Sequence, residues 1–343
     1  MRDYSLDILR ILACMMIVTM HSPLPGGIED GIFLSSLSYL TAPGVGLFFM
    51  ISGALLLPVK SDTKSFIKRR FIKIAIPTFF WTVFYIVLDT FLNGQDLDWK
   101  TFLSMFFTSQ GTPVFWFLYT LAGLYLLAPV ISHWLVSVSR RELEFYLLLW
   151  CISLFYPLID LVLETNTSVT GILYYFTGYV GYFILGHYLR SYGERVRFRW
   201  LLPALIVAYV VPAVCKINDI SVDFYSLFWY LSIFVAVQSV FIWKVVTSLV
   251  PERGMSKIKH FLEGVSSLTF GIYLLHFFVI RYCLWKSPLI NGIEPYPLQV
   301  FVIAVSAFLF SAGLSFVIGL LPVGGLFVGV NNRGLFTRNR HLF

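Results

Sequence analysis

The sequence predicts an all-helical membrane protein, a polytopic bundle whose helices cross the bilayer about ten times. Hydrophobic residues make up 58% of the 343 residues and charged residues 13%, against roughly 45–50% and about 25% in soluble domains. The apolar residues form runs of about 20, the length of a membrane-spanning helix, and lack the alternation of barrel strands. Basic residues are concentrated between alternate runs. These three observations define the predicted fold class.

Ten apolar runs are long enough to be spans. They cover about residues 6–22, 39–58, 72–92, 114–133, 143–163, 172–190, 200–216, 225–247, 267–284 and 298–321. If the N-terminus is cytoplasmic, the inner segments carry 21 of the 25 basic residues, and the outer segments keep Lys100, Lys216, Arg281 and Lys286. Cytoplasmic segments of membrane proteins are enriched in Lys and Arg. This alternation predicts ten transmembrane helices with both termini in the cytoplasm.

The outer segments carry acidic residues instead, namely Glu29, Asp30, Asp96, Asp98, Asp219 and Asp223. Because the inner segments account for the net charge of +7, a nucleic-acid partner is not predicted. We see no soluble segment, tandem repeat or low-complexity linker, so we expect residues 1–343 to form one membrane domain. The first run lacks a signal-peptide cleavage pattern, and we expect it to be retained.

The cysteines point to no metal centre. Cys14, Cys151, Cys215 and Cys283 stand singly in apolar runs, without the spacing of a metal site or of a disulfide framework. We therefore expect free thiols and no bound metal.

Arg10 and His21 are the first candidate functional pair. Ten residues separate them, all hydrophobic except Thr19, and eleven helical steps of about 100° return to nearly the same face. The rise between them is about 16 Å, so both cannot reach water on opposite sides of a hydrocarbon core about 30 Å thick. An ionisable group at membrane depth marks a functional site by default. The alternative is an interfacial ion pair of Arg10 with Asp7 and a histidine that caps the outer helix end.

A basic cluster follows the second predicted span. Its members are Lys60, Lys64, Lys68, Arg69, Arg70 and Lys73. Clustered Arg and Lys side chains suit phosphate recognition, and attraction to anionic lipid headgroups is the alternative. Just before the cluster, Ser52 lies in the glycine-containing run 44–53, which either lets two helices approach closely or supplies a hydroxyl to a site.

Aromatic and histidine residues complete the candidate set. Trp116 and Tyr119 open the fourth span, where they fit either an aromatic belt at the membrane interface or a substrate contact. Tyr273 and His276 are three residues apart in the ninth span, so we expect them to be neighbours on one helix face. A histidine that only satisfies the core is the alternative reading of His276.

Together these runs resemble the acyltransferase-3 family of integral membrane O-acyltransferases. The family pattern of Asp-x-Leu-Arg followed after ten residues by His is matched by Asp7, Leu9, Arg10 and His21, and its Phe-Phe-x-Ile-Ser-Gly run by residues 48–53. Its basic run before a proline is matched by Arg69, Arg70, Lys73 and Pro77. Its Trp-Phe-Leu run is matched by Trp116, Phe117 and Leu118, and its Tyr-Leu-x-His run by Tyr273, Leu274 and His276. Two positions depart from the family pattern. Lys73 stands where the second arginine of Arg-x-x-Arg is usual, and Val114-Phe115 stands where many relatives have a histidine.

The resemblance implies a reaction and a set of roles. An acyl group, usually acetyl, passes from cytoplasmic acyl-CoA to a hydroxyl of a cell-surface glycan or lipid-linked sugar, at the inner (plasma) membrane and without a permanently bound cofactor. Catalysis is expected from His21, as general base or acyl carrier, and from Arg10, which holds a CoA phosphate or orients the donor. The expected substrate-binding residues are Arg69, Arg70, Lys73, Ser52, Trp116, Tyr119, Tyr273 and His276. A transporter or flippase for a polysaccharide intermediate, and a non-catalytic partner that binds membrane lipids, are the alternative functions.

Overall fold

The computed structural model describes residues 3–25, 31–94, 99–104, 106–109, 112–163, 171–218, 228–250 and 256–330, which are helices and connecting segments with no β-strand. The α-helices are α1 (Tyr4–Met20), α2 (Gly31–Thr41), α3 (Pro43–Leu56), α4 (Thr63–Asn93), α5 (Trp99–Ser104), α6 (Trp116–Ser137), α7 (Arg140–Ser153), α8 (Tyr156–Leu163), α9 (Tyr179–Tyr192), α10 (Phe198–Ile217), α11 (Ile233–Leu249), α12 (Ser256–Phe278), α13 (Pro288–Asn291), α14 (Tyr296–Leu320) and α15 (Gly324–Val328). A π-helix, Val279–Leu284, continues α12. The predicted all-helical class is confirmed.

The predicted membrane character is also confirmed, because seven described helical stretches are long and apolar enough to cross a bilayer. They are Gly31–Leu56, Thr63–Leu92, Pro113–Ser137, Arg140–Asp160, Phe198–Cys215, Ile258–Leu284 and Tyr296–Leu320. The other three predicted spans overlap α1, α9 and α11, which have 17, 14 and 17 residues. The count of ten, the cytoplasmic termini and the single domain stay predictions. The six predicted outer acids lie outside the described residues.

Local sequence fixes the ends of α4, the helix that carries most of the basic cluster. The Asp62 carboxylate caps its first turn by accepting from the Ser65 amide at 3.1 Å, as N-cap residues do. Gly94 ends the helix with a positive φ of 63°, a conformation that costs glycine little.

Residue contacts divide the chain into two units. The first comprises Met1–Met20, Ile28–Val59 and Ala128–Lys259. Helix α3 is the centre of this unit, since α1, α9 and α11 all pack against it. The backbones of α3 and α9 touch: a Cβ atom added at Gly53 would overlap the Phe183 carbonyl, and one added at Gly186 would overlap the Met50 carbonyl. The predicted close helix approach at the glycine-containing run is therefore confirmed.

The second unit comprises His21–Gly27, Lys60–Leu127 and His260–Phe343. Here the Trp81 indole of α4 donates to the Phe327 carbonyl of α15 at 2.9 Å. The Tyr85 hydroxyl donates to the Leu274 carbonyl at 3.0 Å and accepts from the Phe278 amide at 2.9 Å. Tyr85 thus links α4 to the residues where α12 ends and the π-helix begins.

The contact of α3 with α9 predicts a specific stability effect. Gly186→Ala should lower the melting temperature of the purified protein in detergent, because overpacking a tight contact costs about 1–3 kcal/mol. Gly123→Ala is the matched control: Gly123 is also helical, but a Cβ atom there meets nothing within 4 Å. The control should melt at or slightly above the wild-type temperature, since alanine favours helix. Equal melting of the two variants would contradict the contact.

Candidate functional site

The site in the second unit is built around two histidines that are far apart in the chain. His21 directly follows α1, and His276 lies near the end of α12, fully buried. Their ring centroids are 5.3 Å apart, with the ring planes tilted by 43°. The ring of Phe277 meets His21 edge-on, with a centroid distance of 6.1 Å. The fold therefore pairs the histidine of the first motif with the histidine of the last.

His276 is fixed by a local hydrogen bond that also sets its chemistry. Its Nδ1 atom lies 2.6 Å from the Tyr273 carbonyl oxygen, which can only accept, so Nδ1 carries the proton. In the neutral ring, Nε2 is then an acceptor. This atom is buried and has no hydrogen-bond partner among the described residues. Because a buried unpaired acceptor is costly, Nε2 is a place where a substrate hydroxyl can donate.

Tyr273 shares the face of His276, as the three-residue spacing predicted. The two rings are 5.6 Å apart, and the ring of Phe117 lies 5.5 Å from Tyr273. The Tyr273 hydroxyl donates to the Val114 carbonyl oxygen at 2.6 Å. The backbone at Val114, where the sequence departs from the family pattern, thus anchors Tyr273. With its proton engaged there, Tyr273 suits lining the site better than donating to an oxyanion.

Sequence reasoning missed a carboxylate close to this cluster. Asp89 of α4 accepts a hydrogen bond from the Tyr282 hydroxyl, and its Oδ1 lies 3.4 Å from an Arg281 guanidinium nitrogen. Arg281 also lies over the ring of Phe277, at 5.8 Å. Both partners of Asp89 belong to the π-helix, a form that often occurs at functional sites. The sequence does contain a signal for Asp89, because it is a single carboxylate within the third apolar run, and ionisable residues at membrane depth are usually functional.

The predicted residues of the first unit are Arg10 and Ser52. The Arg10 guanidinium lies 3.8 Å from the buried Asp7 carboxylate, which confirms the predicted pair. Arg10 itself is partly buried, and its side chain keeps 28% of its accessible area. Ser52 is half-buried and immediately precedes Gly53, which contacts α9.

The remaining candidates belong to the second unit, with the basic residues on α4 and the aromatic residues on α6. Arg69, Arg70 and Lys73 are all exposed, and Arg69 Nε donates to the Ser65 carbonyl oxygen at 3.1 Å. Trp116 is half-buried. Tyr119 lines an apolar cavity of 1280 Å³ in the second unit, formed mainly by α4 and α6. No group of three or more His, Cys, Asp or Glu side chains within the described ranges could hold a metal.

A family model for an acyltransferase domain, that of acyltransferase-3, matches residues 3–318. The chain belongs to the acyltransferase-3 family. This membrane acyltransferase has every predicted site residue, from Arg10 to His276, inside the matched range. Comparison with curated proteins and with solved structures gives no match.

Proposed function

We propose that this acyltransferase moves an acyl group, usually acetyl, from cytoplasmic acyl-CoA to a hydroxyl of a surface glycan or lipid-linked sugar. The pairing of His21 with His276 supports this proposal most strongly. The ring separation of 5.3 Å and the free buried acceptor Nε2 of His276 fit an acceptor substrate whose hydroxyl groups reach both imidazoles. The donor is a substrate, and no permanently bound cofactor is required.

In the proposed reaction His21 acts as general base. It takes the proton of the acceptor hydroxyl as the oxygen attacks the thioester carbonyl carbon. The carbon–sulfur bond then breaks, and the CoA thiolate leaves and receives a proton from His21. Imidazole suits this work because the unprotonated nitrogen of its neutral form can accept a proton. A covalent acyl group carried on His21 is a variant of the same reaction.

His276 and Tyr273 would position the acceptor in this scheme. A second hydroxyl of the acceptor would donate to His276 Nε2, which leaves the proton of the reacting hydroxyl for the neighbouring imidazole of His21. Tyr273 would line the chamber, because its own hydroxyl proton is engaged by Val114. Ser52 is the candidate hydroxyl for the oxyanion.

The donor would be held by the basic residues. Arg10 would hold a CoA phosphate or orient the thioester, and Arg69, Arg70 and Lys73 would bind nucleotide phosphates. Trp116 and Tyr119 would contact the acceptor. Since Tyr119 lines an apolar cavity, we expect this cavity to hold the lipid part of a lipid-linked sugar and not its sugar part.

The proposed topology has ten spans, cytoplasmic termini and a place in the plasma membrane. Contacts within each unit join segments that this topology assigns to the same side. On the inner side, the Val59 amide donates to Ser132 Oγ at 2.8 Å. On the outer side, the Trp285 indole donates to the Ser22 carbonyl oxygen at 3.2 Å. Also on the outer side, the Tyr296 hydroxyl donates to the Leu24 carbonyl oxygen at 3.4 Å.

Replacing the base tests the mechanism. His21→Ala should lower acyl transfer by about 10²–10⁴-fold, the usual contribution of a positioned acid–base group, while acyl-CoA binding stays within twofold. Transfer is measured with labelled acetyl-CoA and membranes from the host cell. His133→Ala is the control, because His133 is an exposed histidine of α6. Near-normal transfer by His21→Ala would refute the role.

The donor assignment of the basic residues has its own test. Arg69→Ala and Arg70→Ala should each weaken acyl-CoA binding more than acceptor binding, because each removes a charge-assisted phosphate contact. Arg141→Ala, an exposed arginine of the next inner segment, should leave donor affinity unchanged. If donor affinity is normal in both test variants, these arginines serve only topology or lipid contact.

A further inference from the structure

A polar cavity of 770 Å³ lies in the first unit, where four chain segments meet. Its wall comes from the start of α1, the end of α9, the end of α11 and Lys259 in the first turns of α12. The proposed topology assigns all four segments to the cytoplasmic side. The volume falls within the range of roughly 300–1,000 Å³ that is typical of small-molecule sites.

Four cationic side chains line this cavity, Arg190, Arg195, Lys244 and Lys259. Uncharged partners hold three of them in place. Lys244 Nζ donates to the Gly193 carbonyl oxygen at 2.8 Å, and Arg190 donates to the Ala54 carbonyl oxygen at 2.6 Å. The Lys259 ammonium lies 5.0 Å from the centre of the Tyr4 ring. Because these partners carry no charge, they position the cations without neutralising them.

The acidic side chains of the wall are fewer. They are Asp3, whose carboxylate is engaged by the amide and hydroxyl of Ser5, and the exposed Glu194. Among the described residues of the wall, four cations stand against two carboxylates, so this part of the cavity attracts anions. Positioned Lys and Arg side chains are the groups that bind phosphate in proteins.

Aromatic side chains accompany the cations. Tyr4 and Tyr192 belong to the wall and keep accessible ring surface, whereas Trp243, which also belongs to it, is buried. Flat aromatic surfaces stack on nucleobases regardless of the base. Phosphate-binding cations next to aromatic rings suit an adenine nucleotide better than a lipid headgroup, which has a phosphate but no base.

We propose that this cavity seats the 3′-phosphoadenosine diphosphate part of the donor CoA, an inference that rests on the proposed acyl-CoA-dependent function. The placement on α1 supports it. This helix contributes its first residues to the cavity wall, carries Arg10 four residues beyond Leu6, and ends one residue before His21. Its rise from Leu6 to Met20 is about 21 Å. In this assignment the cavity cations hold the nucleotide phosphates of bound CoA, and this replaces the direct phosphate contacts proposed above for Arg69, Arg70 and Lys73. These exposed residues would act only through long-range electrostatic attraction.

The test compares CoA binding by purified full-length variants in detergent, measured by calorimetry. The double variant Arg195→Ala/Lys244→Ala should bind CoA at least about tenfold more weakly, since hydrogen bonds to charged groups exceed the free energy of a tenfold change in affinity. It should also lose the preference for CoA over dephospho-CoA, which lacks the 3′-phosphate. Arg199→Ala is the matched control, because Arg199 is an exposed cation that lies over Trp200, outside the cavity wall.

A second measurement keeps the inference testable if the double variant does not fold. Ser248→Cys places a thiol in the exposed part of the wall, and CoA should slow its alkylation, followed by peptide mass spectrometry. Ser137→Cys, an exposed position at the end of α6, should be alkylated at the same rate with and without CoA. Equal rates at Ser248→Cys would overturn the inference.

The outcomes separate this inference from the proposed function. If the wild type binds no CoA, the proposed function itself fails. If the wild type binds CoA and the folded double variant binds it equally well, only the cavity assignment is overturned. Adenosine 3′,5′-bisphosphate should compete with CoA, and phosphatidylglycerol micelles should not. Competition by the lipid alone would assign the cavity to a headgroup and also overturn the inference.

Discussion

The hydrogen bond between His276 Nδ1 and the Tyr273 carbonyl oxygen is the constraint on which the site depends. It determines the tautomer, so that the second ring nitrogen is an acceptor that the described part of the protein leaves unpaired. It also fixes the plane of a buried ring that lies beside His21. Without this bond, the ring could turn and the acceptor would have no defined direction. A buried polar atom without a partner among the described residues is available to a substrate, and a catalytic role is one of the explanations for such an atom.

The helices around the site are held by polar contacts to backbone atoms as well as by apolar packing. Tyr85 and Tyr273 both bond to main-chain groups on neighbouring segments, and Asp89 ties α4 to the π-helix. In the first unit, small residues let the backbones of α3 and α9 touch. Within a bilayer, where lipid is as apolar as leucine, such close packing and hydrogen bonding stabilise helix contacts. Polar contacts to the backbone therefore hold the helices around the histidine pair, and close packing of small residues holds the helices of the first unit.

Local features could be predicted from the sequence, and distant ones could not. The pairing of Asp7 with Arg10, and of Tyr273 with His276, follows from helical spacing alone. The approach of His21 to His276 depends on how the helices pack, for which helical periodicity gives no signal. Asp89 was visible as a charge in an apolar run, but nothing in the sequence indicates that its partners are Arg281 and Tyr282. The polar cavity of the first unit likewise needs four separate segments to meet.

Acyl transfer by the proposed imidazole pair and movement of a glycan across the membrane leave different products. The most direct measurement incubates the purified protein, in vesicles of host lipids, with acetyl-CoA labelled on the acetyl group. If the imidazole pair catalyses transfer, free CoA thiol is released in proportion to label that appears in an ester of a sugar or lipid-linked sugar. If glycan crosses the vesicle membrane while the thioester stays intact and no label is transferred, the protein is a transporter and the imidazole pair does not catalyse acyl transfer.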